Sequence, residues 1–385
     1  MIVPYALPLY TAFLMDKTLN TFTGALLAGG QSSRMARDKA LIMHAGRPLW
    51  QRVLEVLQST CDHLLIAGDR PDLASDKTPC YADTHPGSAL AGLHTALTHA
   101  ETEWVTTMPC DLPFPSLKLL QQLQAACAEN IDAVVPRSCL GREPLIACYK
   151  KTALERIGRH LATGQKTITG LLDELNVRYL EEGELPTGWR RAFRNINTPE
   201  DLEALRQPPP AVTFIARSGT GKTTLLEKLI GALTANGWCV GVLKHDAHRF
   251  EIDHAGKDSW RLTQAGAQVM AISSPAKTAV IEQHELAPGI DELLAPFAGK
   301  VDIVLTEGFK RSRLPKIEVY RQELKQPLLC RGELHDPALI GIASNTPLQI
   351  DVPIFDLEEI TQLTTFIEER FLSSSASATS APAAH

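Results

Sequence analysis

The 385-residue sequence predicts an α/β protein of two domains, an N-terminal Rossmann-like doubly wound sheet and a C-terminal P-loop NTPase fold. Three observations predict it. The chain is longer than the roughly 250–300 residues that one core serves. Short apolar runs alternate with amphipathic stretches on both sides of Gln207-Pro-Pro-Pro210, the pattern of parallel sheets with crossover helices. Two of the runs, Ala25–Leu27 and Ala211–Ile215, empty into loops carrying glycines, hydroxyls and a lysine, which is what a phosphate requires.

Residues 1–20 read as a loose extension; the stretch is apolar but carries prolines and no basic n-region, so it makes a poor signal peptide. Ala25-Leu-Leu27 is the first strand. Beyond it, Gly29 and Gly30 free the backbone to turn tightly and set N–H groups against an anion, and Arg34 and Lys39 add positive charge. Leu49, Val53, Leu54, Val56 and Leu57 recur at helical spacing, and Leu64-Leu-Ile66 is the next strand. Cys80–Asp83 is a weak strand with a carboxylate at its end. Trp104–Met108 is a strand delivering Asp111, held between Pro109 and Pro113, to the carboxyl edge of the sheet, where ligands of open α/β sheets sit. An aspartate there serves as a magnesium ligand or, alternatively, caps an Asx-turn or helix.

The string Leu27-Ala-Gly-Gly-x-Ser-x-Arg-Met-x-x-Asp-Lys39 resembles the signature of nucleotidyltransferases, most closely the molybdenum cofactor guanylyltransferases, the MobA family. The likeness runs over residues 21–206. It implies a nucleotidyltransferase fold, with Leu27, Ala28, Gly29, Gly30, Lys39, Asp83 and Asp111 at the nucleotide, Arg34, Lys39 and Asp111 in catalysis, and Mg²⁺ on Asp111. The segment Gly141–Tyr149 resembles the family stretch near the acceptor. Asn195-Ile-Asn-Thr-Pro-Glu-Asp-Leu202 resembles its closing motif, with Thr198 placed to cap a helix starting at Pro199. Two family positions differ here: Ala36 stands where a glycine is usual, and Ala67 where an asparagine contacts nucleotide.

Pro208–Pro210 neither continue a helix nor donate to a sheet, so residues 207–210 form a stiff spacer, with a second domain over 211–372. Strand Ala211–Ile215 feeds Ala216-Arg-Ser-Gly-Thr-Gly-Lys-Thr223, a Walker A loop with alanine at its first position, and Leu225–Leu233 supplies its helix. Ser218, Gly219, Thr220, Gly221, Lys222, Thr223 and Thr224 are the expected nucleotide contacts. Lys222 is placed for the β/γ-phosphates and the Thr223 hydroxyl for Mg²⁺. Glu307, at the far end of Val301–Glu307, takes the place of a Walker B acid; Asp302, at the strand's entrance, is the alternative. His245 and His248 beside Asp246 fit either a transition-metal site or a polar loop.

This half resembles the MobB family, the GTP-binding partner of the guanylyltransferase, on Gly219–Thr224, His245-Asp-x-His248, Asp253-x-x-Gly-Lys-Asp-Ser259 and Thr306-Glu-Gly-Phe-Lys310. The fusion implies GMP transfer from GTP to Mo-molybdopterin, with an adaptor domain that binds GTP and hydrolyses it slowly. It further implies molybdoenzymes and their chaperones as partners, and a homodimer. A sugar-1-phosphate pyrophosphorylase and a non-catalytic GTP-regulated scaffold are the alternatives. Residues 373–385 are Ser/Ala-rich and read as a disordered tail. A formal net charge of -6 argues against broad nucleic-acid binding, and no apolar run reaches the roughly 18 residues of a membrane span. The eight cysteines form no C-x-x-C pair and read as buried thiols of a reducing compartment, the cytoplasm.

Overall fold

The computed structural model describes residues 20–29, 38–85, 87–245, 250, 252–284, 286–332 and 335–373. Gly30, Arg34, Ala36, Asp246 and His248, most of the N-terminal extension and all but the first residue of the tail lie outside these. The chain divides into two compact units, Met1–Pro199 and Glu200–His385.

The first unit is built on strands β1 (Phe22–Leu27), β2 (His63–Ala67), β3 (Cys80–Tyr81), β4 (Trp104–Pro109), β5 (Ala133–Ser138), β6 (Ala147–Lys150) and β7 (Val177–Leu180). Their order in the sheet is β7-β5-β6-β4-β1-β2-β3, with the short strand Gly141–Arg142 paired to β5. All pairings along this order are parallel except those of β6, which runs antiparallel to both neighbours. Because strand side chains alternate between faces, Ala25, Leu65 and Val135 enter one core and Leu26, Ile66 and Val134 the other. Helices Leu49–Gln58 and Leu117–Ala125 cover one face, and Ala89–His99 and Leu154–Ala162 the other. Within the first helix the residues that pack inward are Leu49, Val53 and Leu57, the 3.6-residue stripe read from the sequence.

The second unit carries six parallel strands: β8 (Ala211–Ala216), β9 (Val240–Lys244), β10 (Ile303–Glu307), β11 (Lys316–Tyr320), β12 (Leu339–Ser344) and β13 (Ile354–Asp356). Their order is β9-β10-β8-β11-β12-β13, so β8 is central. Helices Lys222–Ala235 and Ile360–Ile367 pack on one face around Phe214, Leu229 and Leu363. A separate antiparallel hairpin, Val269–Ser273 with Thr278–Glu282, exposes Val269, Ile272 and Val280. All eight cysteines are free thiols. Among the described residues no helix is long and apolar enough to cross a membrane.

Candidate functional site

In the first unit the sites converge at the carboxyl ends of β1, β2 and β4. Three backbone bonds fasten these ends together: Ala28 N donates to Ala67 O (2.8 Å), Cys110 N to Leu27 O (3.1 Å) and Gly68 N to Tyr81 O (2.9 Å). Gly29 is required here for its missing side chain rather than for a left-handed turn. It is not among the positive-φ glycines, but a Cβ on it would meet Asp83 Oδ2 at 2.4 Å. Gly68, at φ +133°, crosses so closely that a Cβ would lie 2.5 Å from Gly29 N. Asp83 therefore presses directly on the glycine loop. Burial pushes its carboxyl above the usual range, against the smaller opposing influences of Thr95 and His94, and its Oδ1 has no partner.

Lys39 opens a short 3₁₀ turn, Lys39–Leu41, capped by Asp38, whose carboxylate accepts from Ala40 N at 3.1 Å. Arg70 grips that cap with its guanidinium 2.9 Å from Asp38 Oδ2, and also binds Asp72. So anchored, Lys39 extends its Nζ to Asn197 Oδ1 at 2.7 Å and to within 3.7 Å of Asp111 Oδ2. Asn197 Nδ2 in turn donates to Asn195 Oδ1 (3.0 Å), and Ile196 N donates to Asp111 O (3.1 Å). Asp111 Oδ1 is buried without a partner. Burial raises the Asp111 carboxyl while Lys39 pulls it back down. The buried Asp111 Oδ1, with unfilled lone pairs, fits a hard divalent cation such as Mg²⁺, which takes oxygen donors, while Asp83 follows β3, three places along the sheet from β4.

Sequence reasoning placed Lys39, Asp83 and Asp111 on one edge, and the structure brings Lys39 and Asp111 together. It missed Asn197 and Arg70. The Asn195–Thr198 string was the available signal for Asn197, but nothing in the spacing shows that it folds back by 158 positions onto Lys39. Ala67 is fully buried at the end of β2 and contributes only its carbonyl at this edge.

In the second unit, β8 runs into the loop and helix Lys222–Ala235 begins directly after Gly221. Gly219 and Gly221 adopt φ +80° and +85°, open to glycine and strained for other residues. Ala216 needs no such freedom: it is a buried, ladder-paired strand residue opposite Val319 without a positive φ, so alanine fits the Walker A start. Lys222 Nζ lies 3.3 Å from Glu307 Oε1, and Lys244 Nζ 3.9 Å from the same oxygen. Thr223 and Thr224 are exposed at the helix start; the Thr220 side chain instead turns inward, its hydroxyl donating to Arg217 O at 3.1 Å. Asp302 is used structurally, accepting from Cys239 N at 2.8 Å at the opposite end of the strand. His245 packs its ring 4.9 Å from that of Phe309. Among the described residues, no three His, Cys, Asp or Glu side chains gather as a metal site.

A family model described as a MobA-like NTP transferase domain matches residues 24–178. A second, for molybdopterin guanine dinucleotide synthesis protein B (MobB), matches residues 211–345. The molybdenum cofactor guanylyltransferase of Vibrio cholerae is 34% identical over 186 residues, 46% of this chain and 87% of that protein. The molybdopterin-guanine dinucleotide biosynthesis adapter protein of Haemophilus influenzae is 39% identical over 160 residues, 41% of this chain and 88% of that protein. The chain belongs to both families.

Its first unit is a MobA-type guanylyltransferase and its second a MobB-type adapter with a P-loop fold. Among solved structures, molybdopterin-guanine dinucleotide biosynthesis protein A from Archaeoglobus fulgidus is 29% identical, covering 47% of this chain and 95% of that one, with a TM-score of 0.41. In MobA terms, Lys39, Asp83 and Asp111 occupy the glycine-loop edge; in MobB terms, Lys222 and Glu307 face each other across the P-loop.

Proposed function

We propose that the guanylyltransferase unit transfers GMP from GTP to the terminal phosphate of Mo-molybdopterin. An acceptor phosphate oxygen attacks the α-phosphorus, a new P–O–P bond forms, and the α–β bond breaks to release pyrophosphate. The acceptor is already ionised near neutral pH, so no strong general base is needed. The protein's task is to align two anions that repel each other. The observation that carries this reading is Lys39, fixed between Asn197 and Asp111 at the mouth of the glycine loop, beside a buried carboxylate oxygen with no partner. Lys39 neutralises phosphate oxygens; Asn197 and the capped turn behind it keep its ammonium aimed. Asp111 would hold Mg²⁺, which supplies neutralisation of charge on the leaving pyrophosphate, and Asp83 would contact the nucleotide. Arg34 is proposed to join them from the loop.

The adapter unit binds GTP through Ser218–Thr224, with Thr223 and Glu307 the proposed Mg²⁺ ligands. Lys222 would exchange Glu307 for the β/γ-phosphates when nucleotide arrives. Its hairpin carries the dimer: two strands alone are marginal in water, and Val269 and Val280 lie exposed on one side of it, a face that a second copy would bury. Delivery to molybdoenzymes and their chaperones, in the cytoplasm, completes the proposal.

The test is mass spectrometry of the dinucleotide formed from Mo-molybdopterin and an equimolar mixture of the four nucleoside triphosphates, with and without Mg²⁺. A guanine dinucleotide formed only with Mg²⁺ is expected. Transfer of another base, or to a sugar 1-phosphate in preference to the pterin, would overturn the reading in favour of a different pyrophosphorylase.

A further inference from the structure

We propose that Arg321, far outside the Walker A sequence, is the positioning residue that keeps the Gly221 N–H turned into the phosphate cradle. The inference rests on the reading of the adapter unit as a nucleotide site. Parallel pairing sets Val319 of β11 opposite Ala216 of β8, so the chain leaves β11 beside the P-loop. Two residues on, Arg321 Nε donates to Thr220 O at 2.8 Å, and its guanidinium lies 3.4 Å from where a Cβ on Gly221 would be. A trans peptide is planar, with its carbonyl and the following N–H pointing to opposite sides. Fixing the Thr220 carbonyl on Arg321 therefore aims the Gly221 N–H the other way, into the loop.

The loop needs this restraint. With glycines at 219 and 221 both at positive φ, its peptide planes have little steric resistance to flipping. The brace continues outward: Arg321 Nη2 is 3.8 Å from Glu358 Oε1, and Glu358 Oε2 accepts from Lys228 Nζ at 2.8 Å. Lys228 belongs to the P-loop helix itself. Loop, β11, the turn after β13 and the helix are thus tied into one frame, with Arg321 at its centre.

The test is calorimetric titration of the full chain with GTP, with ATP and, separately, with inorganic triphosphate. The chain carries two nucleotide sites, so Lys222→Ala identifies the second-unit event by abolishing it. Arg321→Ala is expected to weaken that same event by about ten- to a hundred-fold, the worth of one charge-assisted hydrogen bond. The loss should be equal for GTP and inorganic triphosphate, the GTP-to-ATP preference unchanged and the ligand-free unfolding midpoint preserved. Arg321→Lys, which keeps a donor on a different geometry, should recover part of the affinity. An Arg321→Ala affinity within twofold of wild type overturns the assignment, as does a loss accompanied by an equally lowered ligand-free midpoint. Should Arg321→Ala fail to fold, Arg321→Lys decides by the same two criteria. If Lys222→Ala abolishes no event, the nucleotide reading of this unit falls first, and the role of Arg321 with it.

Discussion

Glu143 offers a quantitative test of how burial acts at the carboxyl edge of the first sheet. Thr107 of β4 pairs with Ala147 of β6 in antiparallel register, so counting four residues along each chain brings the Glu143 turn to the same end of the sheet as Asp111. Burial alone pushes the Glu143 carboxyl from the ordinary 4.5 up to about 7. A folded pKa above the unfolded one means that the native state holds a proton the unfolded chain releases. Its contribution to stability is present at low pH and is lost as pH rises from about 4.5 through about 7. The difference corresponds to roughly 3 kcal/mol at about 1.36 kcal/mol per pH unit, an upper figure because the chain can relax. Glu143→Gln removes the titration while keeping the shape. Its stability advantage over wild type should be near zero at pH 4, open between pH 4.5 and 7, and stay constant above that. At pH 8 it should reach up to about 10 °C in the unfolding midpoint of this unit. Thermal unfolding of both proteins from pH 4 to 9 reads it directly. A gap of the same size at every pH, or a variant less stable than wild type at pH 8, would show that Glu143 is not held in its neutral form by burial.

Asp111→Asn should lower GMP transfer by about two to three orders of magnitude and abolish any Mg²⁺-induced rise in the unfolding midpoint, read by steady-state assay and by melting with and without the ion. Gly29→Ala should destabilise the first unit by about 1–3 kcal/mol, because its Cβ would displace Asp83 from contact at 2.4 Å, and denaturant titration measures it. Asn197→Ala, which strips Lys39 of its 2.7 Å anchor, should cut turnover by about ten-fold or more while leaving the fold intact by circular dichroism. Val280→Asp, on the exposed face of the hairpin, should convert a dimer to monomer in sedimentation velocity; an unchanged sedimentation coefficient for a wild-type dimer would remove that face from the interface.

The sequence by itself determined a good deal of this protein. Local apolar periodicity set the Leu49–Gln58 helix and strands β1, β2, β4 and β8, since side-chain alternation and the 3.6-residue repeat are properties of neighbouring residues. The two phosphate-type loops were legible for the same reason, each being one short run of glycine, hydroxyl and lysine. The antiparallel insertion of β6 was not legible, because strand direction depends on partners far along the chain. Only the tertiary structure placed Asn197 on Lys39 and Arg321 on Thr220, contacts spanning 158 and 101 positions. It also showed that Gly29 is fixed by the nearness of Asp83 rather than by a left-handed turn, and that Ala216 sits in ordinary strand geometry where the motif prefers glycine. Local spacing encodes which side chains can meet an anion; which of them are held rigid to do so is decided by packing between segments that the linear order keeps apart.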